Sequence, residues 1–262
     1  MTDATEIPPS LRLDARVALV TGAGRGLGRE YALLLAARGA DVIVNDIDAD
    51  NAGATAGAVR ELGRKATIIA CDATDTVRLA AVIGAALAEH GHIDILVNNA
   101  GIQGNALPIE AIDERTFDTM MAVKLKASFF ATRAVVPGMK ARRYGKIINI
   151  SSNFAMEGST SMSHYTGAAS GMLGFTKAWA REFAPWGICV NAVAPALVVT
   201  DLTVNSMGWD RIHAIEKKVP LGGRLADKKE IAYAVAWLAS AETDFMTGQV
   251  LAPNGGLTIV GI

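Results

Sequence analysis

The sequence predicts an α/β protein with a doubly wound parallel sheet, folded as a single domain. Three observations lead there. Short apolar, β-branched runs alternate with helical runs along the whole chain. The strand-like runs are near-continuously apolar, as strands covered on both faces are. The first strand–helix junction is the glycine-rich turn Thr21-Gly22-Ala23-Gly24-Arg25-Gly26-Leu27-Gly28. The chain has no linker, low-complexity tract or repeat, and 262 residues that are 51% hydrophobic suit one large core.

In chain order, 16–21 reads as a strand and 29–38 as a helix closed by Gly39. A strand over 41–46 follows, then a helix near 51–62 and a strand near 65–70. The next helix spans about 77–89 and leads to a strand over 93–98. One long helix covers 114–142. A strand over 146–151, a helix near 163–184 and a strand over 188–193 come next. A helix near 228–240 and a strand around 249–252 close the fold. Residues 1–12 are expected to be a flexible tail, and 13–262 the folded domain.

Composition removes several classes. A net charge of −1 gives no electrostatic pull toward nucleic acid or an anionic membrane. No apolar run reaches membrane-spanning length, and the start of the chain lacks the basic-then-apolar order of a signal peptide. Cys71 and Cys189 lie far apart and read as small buried hydrophobes in a reducing compartment. His90 and His92 flank Gly91 with no third ligand, so no metal is expected. A cytoplasmic location is the expectation.

The glycine turn has the form of a phosphate cradle. Gly22, Gly26 and Gly28 let the backbone approach a pyrophosphate, with Arg25 and Leu27 in the same turn. The helix that follows would offer its open N–H groups. Asp46 ends the second strand about 20 residues on, where a carboxylate accepts from an adenosine ribose diol. It would repel a 2′-phosphate, so the expected cofactor is NAD. Arg25 pulls the other way, since a guanidinium there could pair with that phosphate. Ligands in such folds sit beyond the carboxyl ends of the strands. Those ends carry Asp72 and Ala73, with Asp72 near adenine; Asn98, Asn99, Ala100 and Gly101; Ser151 and Ser152; and Pro195 through Val198 to Thr200.

Thr21-Gly22-x-x-x-Gly26-x-Gly28, Asn98-Asn99-Ala100-Gly101, Ser152, Tyr165, and Pro195 with Thr200 together resemble the short-chain dehydrogenase/reductase family over nearly the whole chain. The resemblance implies a Rossmann domain, a nicotinamide dinucleotide, and a small alcohol or ketone substrate. It implies a homodimer or homotetramer built on the two long helices and the C-terminal segment. Tyr165 would be the acid/base and Ser152 would bind the reacting oxygen. Val198 and Thr200 would meet the nicotinamide amide.

Two expected site residues are replaced. The family's lysine, one turn after the tyrosine, is Ala169 here, and its helical asparagine is Lys124. Pro195-Ala196 stands for the usual proline-glycine. A free tyrosine has a pKa of about 10, so an ammonium nearby matters. Losing such an activator costs on the order of 10²–10⁴ in rate. The long stem of Lys124 could carry an ammonium into the volume that Ala169 leaves, making Lys124 the third catalytic candidate. Alternatively, Lys124 faces solvent or an acid, and its charge is irrelevant to Tyr165.

Side chains alternate along a strand, and the spacing to Tyr165 selects Ser152 over Ser151. His164 reads as a helix-start residue. The segment 202–219, with Met207, Trp209, Ile212 and His213, reads as an apolar lid or as packing; Phe154, Met156 and Met162 would form the opposite wall. The leading function is an NAD-dependent oxidoreductase. The alternatives are a dinucleotide-binding protein with impaired turnover, a deliberately altered active site, or dehalogenase-like chemistry at a Ser–Tyr pair.

Overall fold

The computed structural model describes residues 7–260. Its sheet strands are β1 (Val17–Thr21), β2 (Asp41–Asp46), β3 (Ala66–Ala70), β4 (Ile95–Asn98), β5 (Gly145–Ile150), β6 (Ile188–Val193) and β7 (Val250–Leu251). They form one sheet in the order β3-β2-β1-β4-β5-β6-β7, and every pairing is parallel. Every residue of β1, β4, β5 and β6 is buried, which accounts for their continuous apolar reading. The chain reverses its winding between β1 and β4, and that switch point opens a crevice at their carboxyl ends.

The helices are α1 (Gly26–Ala37), α2 (Ala49–Glu61), α3 (Thr76–His90), α4 (Glu114–Met121), α5 (Ala127–Arg142), α6 (Phe154–Glu157), α7 (Ser163–Phe183), α8 (Asp201–Glu216) and α9 (Lys228–Leu238). One core packs α1, α2 and α9 on the sheet through Tyr31, Leu35, Val59, Ile231 and Val235. The other packs α3, α5 and α7 through Leu79, Ile83, Val135, Met139 and Trp179. No helix among the described residues is long and apolar enough to cross a membrane.

Side chains cap most of these helices. Asp48, Asp75, Asp113, Thr200 and Asp227 accept from first-turn N–H groups of α2, α3, α4, α8 and α9. The N-cap of α1 is Arg25, which makes no such bond.

One expectation needs correction. The helix expected over 114–142 is interrupted by a π turn at Ala122–Lys126, and Lys124 sits inside it. Segment 202–219 is largely helical, as α8, broken at Gly208 (φ 71°, ψ 163°). Only Ile212 of α8 is buried, so no apolar stripe marked it in the sequence. The short α6 also went unread. Of the tail expected over 1–12, residues 1–6 lie outside the described residues. Pro9–Leu11 forms a 3₁₀ turn, and Ser10 Oγ donates to Glu242 at 2.6 Å.

Candidate active site

The glycine turn joins β1 to α1 at the switch point. Gly22 and Gly26 have positive φ, 63° and 58°. A Cβ on Gly28 would lie 2.0 Å from the Gly22 carbonyl oxygen, so no larger residue fits without moving backbone. With Arg25 exposed and no side chain capping α1, the first-turn amides are left for an anion. The turn thus fits a dinucleotide pyrophosphate.

Asp46 closes one side. Its Oδ2 accepts from Gly24 N at 2.7 Å and its Oδ1 from Asp48 N at 3.0 Å. These bonds hold a carboxylate beside the turn. Asp72, exposed at the end of β3, accepts from Thr74 N and Thr74 Oγ1, both at 2.8 Å, and Ala73 lies next to it.

After β4 the chain folds back onto the turn. Ala100 N and Asn99 N each donate to Thr21 Oγ1 at 3.0 Å. Asn99 Nδ2 donates to the Thr21 and Gly22 carbonyls at 2.8 and 3.0 Å. Asn98 differs from its neighbours. Its amide is buried and donates to Asn149 Oδ1 at 2.8 Å and Thr132 Oγ1 at 3.0 Å. Its side chain therefore ties β4 to β5 and α5 and does not line the cleft. Thr200 caps α8, and its Cγ2 lies 3.8 Å from the point a Cβ on Gly26 would occupy. Val198 is bridged to Ala226, and the Pro195 carbonyl accepts from Asn153 N at 3.0 Å.

The other half of the cleft holds Ser152, Tyr165 and Lys124. The two serines after β5 diverge: Ser151 Oγ donates to the Ala169 carbonyl at 2.8 Å, whereas Ser152 Oγ accepts from Phe154 N at 3.2 Å and acts on the Tyr165 phenol. Burial pushes the Tyr165 phenol up from its ordinary value, and the Ser152 hydrogen bond offsets part of that. Phe154 meets the Tyr165 ring edge-on, with centroids 6.3 Å apart.

Lys124 is 5% exposed. Its Nζ donates to the Ile150 carbonyl at 3.1 Å and lies 5.6 Å from the Tyr165 ring centroid. It also lies 3.6 Å from where a Cβ on Gly101 would project. The ammonium thus sits between the phenol ring and the strand end that carries Ala100 and Gly101. Burial lowers its pKa from 10.5 to about 8. Ala169, one turn after Tyr165 on α7, is fully buried and carries no charge.

Sequence reasoning missed three contacts. Ser206 Oγ donates to Gln103 Oε1 at 3.0 Å, fastening the start of α8 across the cleft. Glu157 and Thr258 bond beside Ser152. His164 is buried in the first turn of α7, with Nε2 3.0 Å from the point a Cβ on Gly104 would occupy. Each joins segments distant in sequence, so no local pattern announced it.

Comparison with known proteins agrees with this geometry. A family model described as short chain dehydrogenase matches residues 16–210. The 3-oxoacyl-[acyl-carrier-protein] reductase of Vibrio cholerae is 40% identical over 253 residues, covering 95% of this chain and all of that protein. A gluconate 5-dehydrogenase from Burkholderia cenocepacia, solved with NADP and tartrate, superposes with a TM-score of 0.90 at 35% identity. It covers 95% of this chain and 97% of its own. Levodione reductase gives the same TM-score at 30% identity, covering 94% and 98%.

Proposed function

The chain belongs to the short-chain dehydrogenase family, and on that premise we propose that it moves a hydride between NAD(H) and a secondary alcohol or ketone. The nicotinamide ring, when bound, supplies or accepts the hydride. In the reductive direction Ser152 donates a hydrogen bond to the carbonyl oxygen, and Tyr165 delivers a proton to it. In the oxidative direction Tyr165 removes that proton. Lys124 supplies the positive charge that Ala169 lacks. Relatives named as 3-oxoacyl reductases support an oxo group as the acceptor.

The observation that carries this reading is the buried Lys124 ammonium, 5.6 Å from the Tyr165 ring centroid. A cation there favours the phenolate over the phenol, and beside Gly101 it would be available to a dinucleotide ribose hydroxyl.

Asp46 supports NAD over NADP. Its carboxylate is fixed by two backbone amides beside the turn, so a 2′-phosphate would meet a charge that cannot swing away. The solved gluconate dehydrogenase holds NADP, which makes the preference of this chain a property to measure directly. A groove of about 400 Å³ lined by Met121, Leu125, Phe129, Phe130 and Phe175 supports self-association through α5 and α7.

The test is turnover of a panel of secondary alcohols with NAD, using the wild type and the Tyr165→Phe and Ala169→Lys variants. Turnover that Tyr165→Phe abolishes is the expected result. No turnover in the wild type together with a large gain in Ala169→Lys favours the second reading, a dinucleotide-binding protein with an impaired site. The raised phenol pKa of Tyr165 is what favours that reading.

A further inference from the structure

Among the described residues two lysines are buried, and they are held in opposite ways. Lys146, on β5, has its Nζ against Asp244 Oδ1 at 2.8 Å and Thr243 Oγ1 at 3.3 Å. Lys124 has no carboxylate partner among the described residues. One N–H donates to the Ile150 carbonyl, and the Tyr165 ring lies to one side.

The difference is chemical. An ammonium paired with an acid keeps its proton and has no lone pair to offer. An amine kept from water with no acid beside it gives that proton up more readily, as the pKa of about 8 reflects. A lysine in water titrates near 10.4, so at pH 7 roughly two hundred times more of Lys124 is neutral than of an exposed lysine.

The amine is also within reach of the cleft. Gly101 is exposed, and the point where its Cβ would stand lies 3.6 Å from Lys124 Nζ. Apart from the chain neighbours of Gly101, only the Asn99 carbonyl oxygen, at 3.5 Å, shares that space. Gly101 does not have a positive φ, so its backbone makes no demand for glycine. What the glycine provides is a window: any larger side chain there would cover the amine.

We propose that Lys124 is a nucleophilic amine that condenses reversibly with the carbonyl group of a small ketone or aldehyde, reached past Gly101 in the dinucleotide-free protein. The Nζ lone pair forms a bond to the carbonyl carbon, and both carbon–oxygen bonds break. The oxygen leaves as water with the two amine protons. One carbonyl and one amine give one imine and one water, and nothing is oxidised or reduced. The ammonium serves the hydride-transfer reading and the neutral amine serves this one, so the two roles exchange across pH about 8.

The test treats the dinucleotide-free protein with acetone and sodium cyanoborohydride, whose hydride fixes an imine as a stable secondary amine. Peptide mass spectrometry then maps the alkylated lysines. At pH 7 Lys124 should be alkylated at least about tenfold faster than the average of the other lysines. Gly101→Val should slow alkylation of Lys124 by about tenfold or more and leave the other lysines unchanged. Alkylation spread evenly over the lysines, or sparing Lys124, overturns the proposal, and this result needs only the wild type. A Gly101→Val protein that melts cooperatively yet labels Lys124 at the wild-type rate also overturns it. Neither result touches the hydride-transfer reading, which is scored separately as turnover with NAD. Trapping at Lys124 in a protein without turnover upholds the amine and fells the hydride-transfer reading.

Discussion

The two halves of the cleft are specified in different ways. The half around the glycine turn is set by backbone: glycines packed against carbonyls, an uncapped helix, and a carboxylate pinned by two amides. The half around Tyr165 is made of side chains on a rigid frame: Ser152 after β5, Tyr165 on α7 and Lys124 in a π turn. A backbone site has little latitude, because a Cβ at Gly28 has nowhere to go. In a side-chain site, charge can arrive from a different element so long as it reaches the same volume. The difference teaches that Ala169 and Lys124 must be weighed together rather than as two separate losses.

That contrast can be broken or sharpened by substitution. Tyr165→Phe is expected to have the largest effect, a kcat loss of about 10²–10⁴ with dinucleotide Kd unchanged by calorimetry. An equal loss of affinity would mean that the halves are not separable.

Lys124→Met comes next, with a kcat loss on the order of 10² if its charge activates Tyr165. Wild-type kcat should fall as pH rises through about 8, where the ammonium is lost, and the variant should lack that limb. Stability gives an independent check. The folded pKa is about 8 and the reference value 10.5, so between them the folded state binds fewer protons than the unfolded one. Stability then rises with pH across that window, and the full cost of burying the charge, about 3 kcal/mol, applies below it. Unliganded Lys124→Met should therefore melt higher than wild type at pH 7, with the gain shrinking toward pH 10.

Gly28→Ala probes the backbone half. Its Cβ must displace the Gly22 carbonyl, at a cost of about 1–3 kcal/mol. Calorimetry should show weakened dinucleotide binding, and a lower Tm should accompany it. The smallest expected effect is that of Asp46→Ala, about a tenfold shift in the NADH-to-NADPH ratio of kcat/KM toward NADPH, or roughly 1.4 kcal/mol. An unchanged ratio would remove Asp46 from cofactor choice.

Much of this was legible in the sequence because it is local. The strands are buried runs and the glycine turn is contiguous, so the parallel sheet and its cradle could be read directly. Asp46 was found by its distance along the chain from that turn. The π turn was not readable, since 122–126 carries ordinary helix formers and its widening depends on packing. Helix α8 hid because it lies on the surface with one buried residue. The direction of the Asn98 side chain was not readable, because the sequence does not show which face of β4 its amide takes. The Glu157–Thr258 bond spans 101 residues, and no spacing rule reaches that far.

The bare first turn of α1 has a thermodynamic consequence for the empty protein. A missing N-cap commonly withholds about 1 kcal/mol from a helix, and here the neighbouring helices are not short of theirs. A dinucleotide held at this turn would therefore complete a secondary-structure element as well as fill a cleft. Even a fragment with no redox ring, such as ADP, should raise the melting temperature by firming up the very element that anchors β1 to the core.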